Sequence, residues 1–218
     1  MEWDILNIIA IVAFAFSGAI VALEEKYDIF GVYVLGLAAS FGGGIIRNVL
    51  IGVPVIPLWE QGFLLKTALF AITIIYLLPK RWLKSWNRWN DFFDAIGLGA
   101  FTIQGALYGI ALQLPPGGII LCSVATGAGG GLLRDILARR RPMILHQGIY
   151  ALWALLAGLL LGFGFIQSNN PVQLYLLFLV IILLRIFSII YQWHLRIRNL
   201  ENTTSLPIVQ DSIKKAEY

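Results

Sequence analysis

The sequence predicts an all-α integral membrane protein in which seven transmembrane helices form two inverted three-helix repeats plus a seventh helix. Three observations predict it. The chain is 59% hydrophobic and only 13% charged, with a positive mean hydropathy, which lies outside the range of a soluble domain of this size. Apolar stretches of about 20 residues, the length that crosses a hydrocarbon core of about 30 Å, recur seven times. Finally, "FGGGIIRNVLIG" at residues 41–52 returns as "AGGGLLRDILAR" at residues 128–139, 87 positions later.

The spans fall in order at about 4–23, 29–51, 59–78, 92–112, 116–138, 146–166 and 171–194. Their connections are short, so residues 1–198 read as a single transmembrane domain, followed by a polar tail over 199–218. Repeat one covers about 4–78, repeat two about 91–166, and the seventh helix about 171–194. The acidic start "MEWDILN" argues for a retained first helix rather than a basic, cleavable leader. A lone Cys122 excludes an intramolecular disulfide and a cysteine metal cluster, and reads as a small packing residue. His146 and His194 are far apart and read as interfacial polar groups, so no metal or cofactor is expected.

Alternating the loops between the two sides of the membrane places Lys26, Lys80, Arg81, Lys84, Arg88, Arg139, Arg140, Arg141, Arg196 and Arg198 together. The opposite loops have no lysine or arginine outside the spans. By the positive-inside rule the N-terminus is expected outside and the C-terminus in the cytoplasm. The net charge of +4 is thereby explained without nucleic acid. Trp82, Trp86 and Trp89, interleaved with Lys84 and Arg88, fit an amphipathic connector at the cytoplasmic lipid interface.

Residues 4–51 align without a gap on 91–138, with 13 identities in 48 positions. The matches include Asp4 with Asp91, Ala13-Phe14 with Ala100-Phe101, Gly18-Ala19 with Gly105-Ala106, and Gly31 with Gly118. Gln61-Gly62 matches Gln147-Gly148 after a small gap. Each unit contains three helices, an odd number, so the second copy must enter from the opposite side of the membrane.

The glycine triplets, Gly42, Gly43 and Gly44 and their equivalents Gly129, Gly130 and Gly131, fall near membrane depth at 1.5 Å of rise per residue. Each glycine weakens a helix by about 1 kcal/mol relative to alanine, so a kink or break is expected, its freed carbonyls facing a solute path. Close packing of small residues is the compatible alternative. Arg47 with Asn48, and Arg134 with Asp135, follow the triplets; a charge at membrane centre costs upward of about 2.5 kcal/mol and needs a wet cavity or a partner. Adjacent helical residues diverge by about 100°, so each arginine is expected to find its partner on another helix, with Asp94 and Lys66 as candidates. Asp94 reads equally as a charge at a helix start, and Lys66 as a snorkelling cation. Arg185 is expected to snorkel or to meet another subunit. Ser17 and Gln104 occupy equivalent positions in the first helices of the repeats, and Ser40 and Thr126 precede the triplets. The hydroxyls of Ser40 and Thr126 have their own helix carbonyls as ordinary acceptors.

"FAFSGA", "GGGIIRNVLIG", "DAIGLGAFTIQGA" and "ATGAGGGLLRDIL" together resemble the prokaryotic trimeric intracellular cation (TRIC) channel family, also described as glycine-transporter-like domains. The resemblance covers about residues 4–195. It implies a homotrimer in a bacterial inner membrane, surrounded by lipid, with one pore per protomer lined by the second and fifth helices and permeable to monovalent cations such as potassium. The pore region then carries over to Gly42, Gly43, Gly44 and Arg47, and to Gly129, Gly130, Gly131, Arg134 and Asp135. Animal members carry a lysine-containing motif in the second helix where this chain reads "FGGGIIRN", so their lipid binding does not transfer.

Two functions stay open on these residues. In a passive channel the arginines act as a gate or countercharge and carbonyls serve as cation ligands. In a secondary transporter of a small solute such as glycine, Arg47 or Arg134 holds the carboxylate and Asp135 or Asp94 the amine. No His-Glu-x-x-His or Gly-x-Ser-x-Gly motif points to an intramembrane enzyme.

Overall fold

The computed structural model describes residues 2–55, 60–79, 86–146 and 149–193. Lys80, Arg81, Trp82 and Lys84 of the tryptophan-rich connector, the Gln147-Gly148 pair, His194 and the tail lie outside the described residues. Eight helices are described: α1 (Glu2–Glu24), α2 (Ile29–Leu50), α3 (Gly62–Leu77), α4 (Trp86–Ala111), α5 (Pro116–Leu137), the four-residue α6 (Met143–His146), α7 (Tyr150–Gly162) and α8 (Pro171–Ile190). Among them α1, α2, α5 and α8 are long and apolar enough to cross a membrane, and α3 and α7 are shorter apolar helices. Of the sixth span expected over 146–166, the described helix Tyr150–Gly162 ends four residues early. This helix, α7, stops at Gly162 because Gly164, at φ 74°, closes the chain in a left-handed turn that no continuing helix tolerates.

The sequence repeat is also a repeat of backbone. Lys26 after α1 and Gln113 after α4 have φ of 59° and 54°, and Gly52 after α2 and Arg139 after α5 have φ of 70° and 57°. The same carbonyls are capped in each pair: Val53 donates to Asn48, and Arg140 to Asp135. Helix starts are set by local chemistry. The Asp28 carboxylate accepts the Gly31 N–H at 2.8 Å, Pro116 opens α5, and the Asn170 side chain caps α8 ahead of Pro171, all favoured start signals.

The two repeats meet along α1, α2, α4 and α5, and α8 packs outside them on α4 and α7. Phe14 and Phe101, equivalent residues, stack face to face at 5.4 Å and mark the pseudo-twofold axis. Large apolar side chains such as Phe30, Phe63, Phe70, Leu77, Leu176 and Ile190 point outward, as a lipid-facing surface requires. The membrane face at which α1 begins is called the N-terminal face below.

Candidate functional site

The helices α2 and α5 cross at their glycine triplets. A Cβ built on Gly43 would strike the carbonyl oxygen of Thr126, and one on Gly130 the carbonyl oxygen of Ala39; Thr126 and Ala39 are themselves equivalent in the repeat. A Cβ on Gly129 would lie 3.0 Å from the Gly43 Cα, and Ile46 and Leu133 cover Gly129 and Gly42 in the same reciprocal way. Gly18 against Gly36, and Gly105 against the Cys122 carbonyl, repeat the device between α1 and α2 and between α4 and α5. Both α2 and α5 run unbroken through their triplets, so the expected break is corrected. Backbone meets backbone at the crossing, a contact that only glycine permits, while each helix keeps its own hydrogen bonds in a medium that offers no substitutes.

The third glycine of each triplet differs. Gly44 meets nothing but the Arg47 guanidinium, at 3.9 Å, whereas a Cβ on Gly131 would meet the Tyr150 hydroxyl at 3.0 Å and Asp94 at 3.4 Å. Gly44 borders a polar cavity of about 80 Å³ that also takes in Asn7, Ser40, Arg47, Asn48, Gln104 and Thr126. It lies in the half of the protein toward the N-terminal face, where α1 begins and α2 ends. Arg47 is 6% exposed. Its Nε donates to Asn48 Oδ1 at 3.0 Å and its Nη1 reaches Gln104 Oε1 at 3.4 Å, while the guanidinium lies 3.7 Å above the Tyr108 ring, within cation–π range. Asn48 Nδ2 donates to the Pro54 carbonyl. Ser40 donates to Gly36 and Ile11 carbonyls, and Thr126 to that of Cys122, so both hydroxyls do bond back to their own helices.

The equivalent half-site, toward the opposite face, is dry. Arg134 and Asp94 are fully buried and Asp135 is 3% exposed. Arg134 Nη1 donates to Asp94 Oδ1 and Nε to Asp135 Oδ1, each at 2.8 Å, and Nη1 also donates to Ser17 Oγ. Ser17 donates onward to Asn90 at 2.7 Å. Tyr150 donates to Asp94 at 3.4 Å, and the Met143 N–H that starts α6 donates to Asp135 at 3.0 Å. The cluster thus fastens α1, α4, α5, α6 and α7 to one another. Arg185 on α8 is 2% exposed with its guanidinium 4.6 Å from the Tyr150 ring centre. It points into the bundle, which corrects the expected snorkelling or subunit contact. Arg134 and Arg185 thus lie with Asp94 and Asp135, and Asp91 is within electrostatic reach of both arginines. Below this cluster Arg140 bridges to Glu24 at 2.8 Å and Glu25 at 2.6 Å, and Tyr27 donates to the Leu137 carbonyl. Partial burial works against the Arg140 charge, but the hydrogen bonds to Glu25 and Glu24 outweigh it and raise its pKa.

Arg47 and Arg134 reach across the axis in the same way, to Gln104 on α4 and Ser17 on α1. Three expectations need correcting. Asp135 does pair with its neighbour Arg134, because the long guanidinium folds back over the intervening angle. Asp94 sits eight residues inside α4 rather than at a helix start, and it is the inter-helix partner expected for Arg134. Lys66 is exposed on α3 and joins neither half-site, since its position faces away from the bundle. Asn7, Tyr108, Asn90 and Tyr150 were missed. Asn7 had a signal, because the 87-residue shift lays it on Asp94. Tyr150 had none, since it follows the gap in the repeat.

Comparison with known proteins matches this architecture. The family model described as glycine transporter matches residues 4–80 and again 91–166. The UPF0126 membrane protein YvgT of Bacillus subtilis is 53% identical over 89% of this chain and 96% of its own length. The UPF0126 inner membrane protein YadS of Escherichia coli K12 is 30% identical over 88% of this chain and 93% of its own. Among solved structures, the TRIC trimeric intracellular cation channel orthologue from Rhodobacter sphaeroides superposes with a TM-score of 0.78 at 27% identity, covering 88% of this chain and 98% of that one.

Proposed function

The chain belongs to the family described as glycine transporter, multi-pass membrane proteins of TRIC-like fold, and from that premise we propose that it is a homotrimeric, potassium-permeable cation channel with one path through each protomer. The path begins at the polar cavity bordered by Gly44, Ser40, Thr126, Gln104, Asn48 and Arg47. It continues past the crossing of α2 and α5 to the Arg134 cluster, which blocks it in the state described. The cluster is the gate: freeing Arg134 from Ser17, Asp94 and Asp135 would expose two carboxylates able to hold a cation. The bacterial inner membrane holds the protein with its N-terminus outside and its C-terminus in the cytoplasm, so the cavity faces outward and the gate inward.

One observation carries the preference for a channel. A zwitterion needs a cation and an anion around one cavity, yet among the described residues no carboxylate borders the Arg47 cavity, and Asp94 and Asp135 are bound to Arg134. A second reading, transport of a small solute such as glycine, draws support from the same asymmetry, an open half-site facing one side and a closed equivalent facing the other. Purified protein in liposomes with an outward potassium gradient decides. The channel reading expects passive flux that does not saturate in the manner of a carrier; saturable uptake of labelled glycine without potassium conductance would replace it.

A further inference from the structure

Among the described residues, the Arg47 cavity contains a charge without a countercharge. The residue is buried, at 6% exposure. Its Nη2 has no hydrogen-bond partner among the described residues and lies on the cavity side, nearest Gly44. In the equivalent half-site the same guanidinium has two carboxylates, Asp94 and Asp135. The repeat places Asn7 and Asn48 at those positions. Both positions hold amides, and a hollow of about 80 Å³ lies beside the guanidinium. A buried, unmatched guanidinium is costly, whereas a charge-assisted bond to an anion is among the strongest a side chain makes.

We propose that this hollow is a binding site for a small monovalent anion of halide or formate size, seated on Arg47 Nη2 and the amides of Asn7 and Gln104. The donor set fixes the class. Ser40 and Thr126 spend their protons on helix carbonyls and Asn48 spends one amide N–H on Pro54, so among the described residues that border the hollow Arg47 is the one cation, beside the neutral amides of Asn7, Asn48, Gln61 and Gln104. One positive charge balances a monoanion and leaves the second charge of sulfate or phosphate uncompensated. The volume of about 80 Å³ admits a small ion together with one or two waters, since a water molecule occupies about 30 Å³ of liquid. Occupancy makes the outer half-site neutral. Under the channel reading, this removes the repulsion that a bare guanidinium exerts on an entering cation, and binding itself is independent of that reading.

The test measures binding rather than flux. Full-length protein is thermally unfolded in potassium gluconate while chloride, bromide, formate or sulfate replaces gluconate at constant ionic strength, since a ligand of the folded state raises Tm saturably. Wild type should show a saturable rise with chloride, bromide and formate and none with sulfate. Gln104→Ala should weaken apparent affinity about tenfold, the loss of one hydrogen bond to a charged group. Asn48→Asp supplies the counterion from within, as Asp135 does for Arg134, so that variant should fold and lose the anion response. Bromide soaked into crystals should give an anomalous peak beside Arg47. Absence of a saturable response in wild type, its persistence in Asn48→Asp, or bromide peaks only elsewhere would each overturn the proposal, whatever the liposomes show.

Discussion

Replacing Gly43 and Gly44 separately by alanine tests the central claim about the triplets, because these neighbours on one helix turn have opposite surroundings. At Gly43 the new methyl would occupy the space of the Thr126 carbonyl oxygen. Carbon contacts settle at about 3.5–4.0 Å, so α2 and α5 must part along their whole crossing, and the obstacle is backbone that cannot rotate away. Overpacking of this kind costs about 1–3 kcal/mol, and the separated helices forfeit packing at Gly42, Gly129 and Gly130 as well. Alanine returns about 1 kcal/mol of helix propensity, which leaves a net loss of about 1–2 kcal/mol, with propensity deducted from the packing cost. For a chain of this length that is about 2–4 °C in Tm per kcal/mol. At Gly44 nothing but the Arg47 guanidinium lies within 4 Å, so alanine keeps the propensity gain and the protein should be as stable as wild type or more so. Its methyl, however, enters the cavity. A group of about the volume of a water, ~30 Å³, consumes a large part of a hollow of about 80 Å³. Thermal unfolding in detergent and potassium flux in liposomes should therefore dissociate: Gly43→Ala loses stability, and Gly44→Ala loses flux while remaining stable. Equal destabilisation by the two variants would refute the crossing geometry. A Gly43→Ala protein as stable as wild type would revive the broken helix.

Three further outcomes follow from the same structure. Asp94→Asn removes one carboxylate from a fully buried ion cluster and should cost about 3–5 kcal/mol, read as a large fall in Tm, whereas Lys66→Gln on the exposed face of α3 should change Tm little. In a Cys122→Ala background, cysteines placed at positions 84 and 168 should react with an impermeant thiol reagent from opposite sides of the membrane; labelling from the same side contradicts the inverted topology. Chemical crosslinking of purified protein should stop at three protomers, and a ladder ending at two would exclude the homotrimer.

The fold was legible because its cause is periodic. A shift of 87 residues aligned the glycines and arginines, and the structure returns that shift in its loop dihedrals, in the Phe14–Phe101 stack and in the reciprocal contacts of Gly43 and Gly130. The partner of Arg134 was legible from scarcity, since a buried cation needs an anion and few were available. What the glycines do was harder to read. Helix propensity says that three glycines weaken a helix, and says nothing about a neighbour whose backbone occupies the vacated space. In lipid, unsatisfied carbonyls cost more than poor propensity, so tertiary contact decides. The inward turn of Arg185 was hidden for a related reason. Its cation–π partner, Tyr150, begins a helix in the one part of the repeat where the register slips.

A symmetric frame with unsymmetric chemistry explains why one half-site is open and the other shut. The crossing glycines, the arginines and the cross-axis contacts to Ser17 and Gln104 are duplicated, so both halves have the same geometry to work with. The difference lies in the acids: Asp94 and Asp135 on one side against Asn7 and Asn48 on the other. Two carboxylates and the Tyr150 hydroxyl draw Arg134 into a cluster that excludes water, because each added partner offsets more of the cost of dehydrating the guanidinium. Amides offer Arg47 no charge: Asn48 accepts from its Nε as Asp135 does from that of Arg134, but Asn7 makes no bond matching the one from Asp94, and a cavity remains beside the guanidinium. One repeated arrangement thus gives a closed ion cluster and a cavity through a difference of two carboxylates. The asymmetry between the halves is set by where those carboxylates sit, and not by a difference in the fold of the crossing helices.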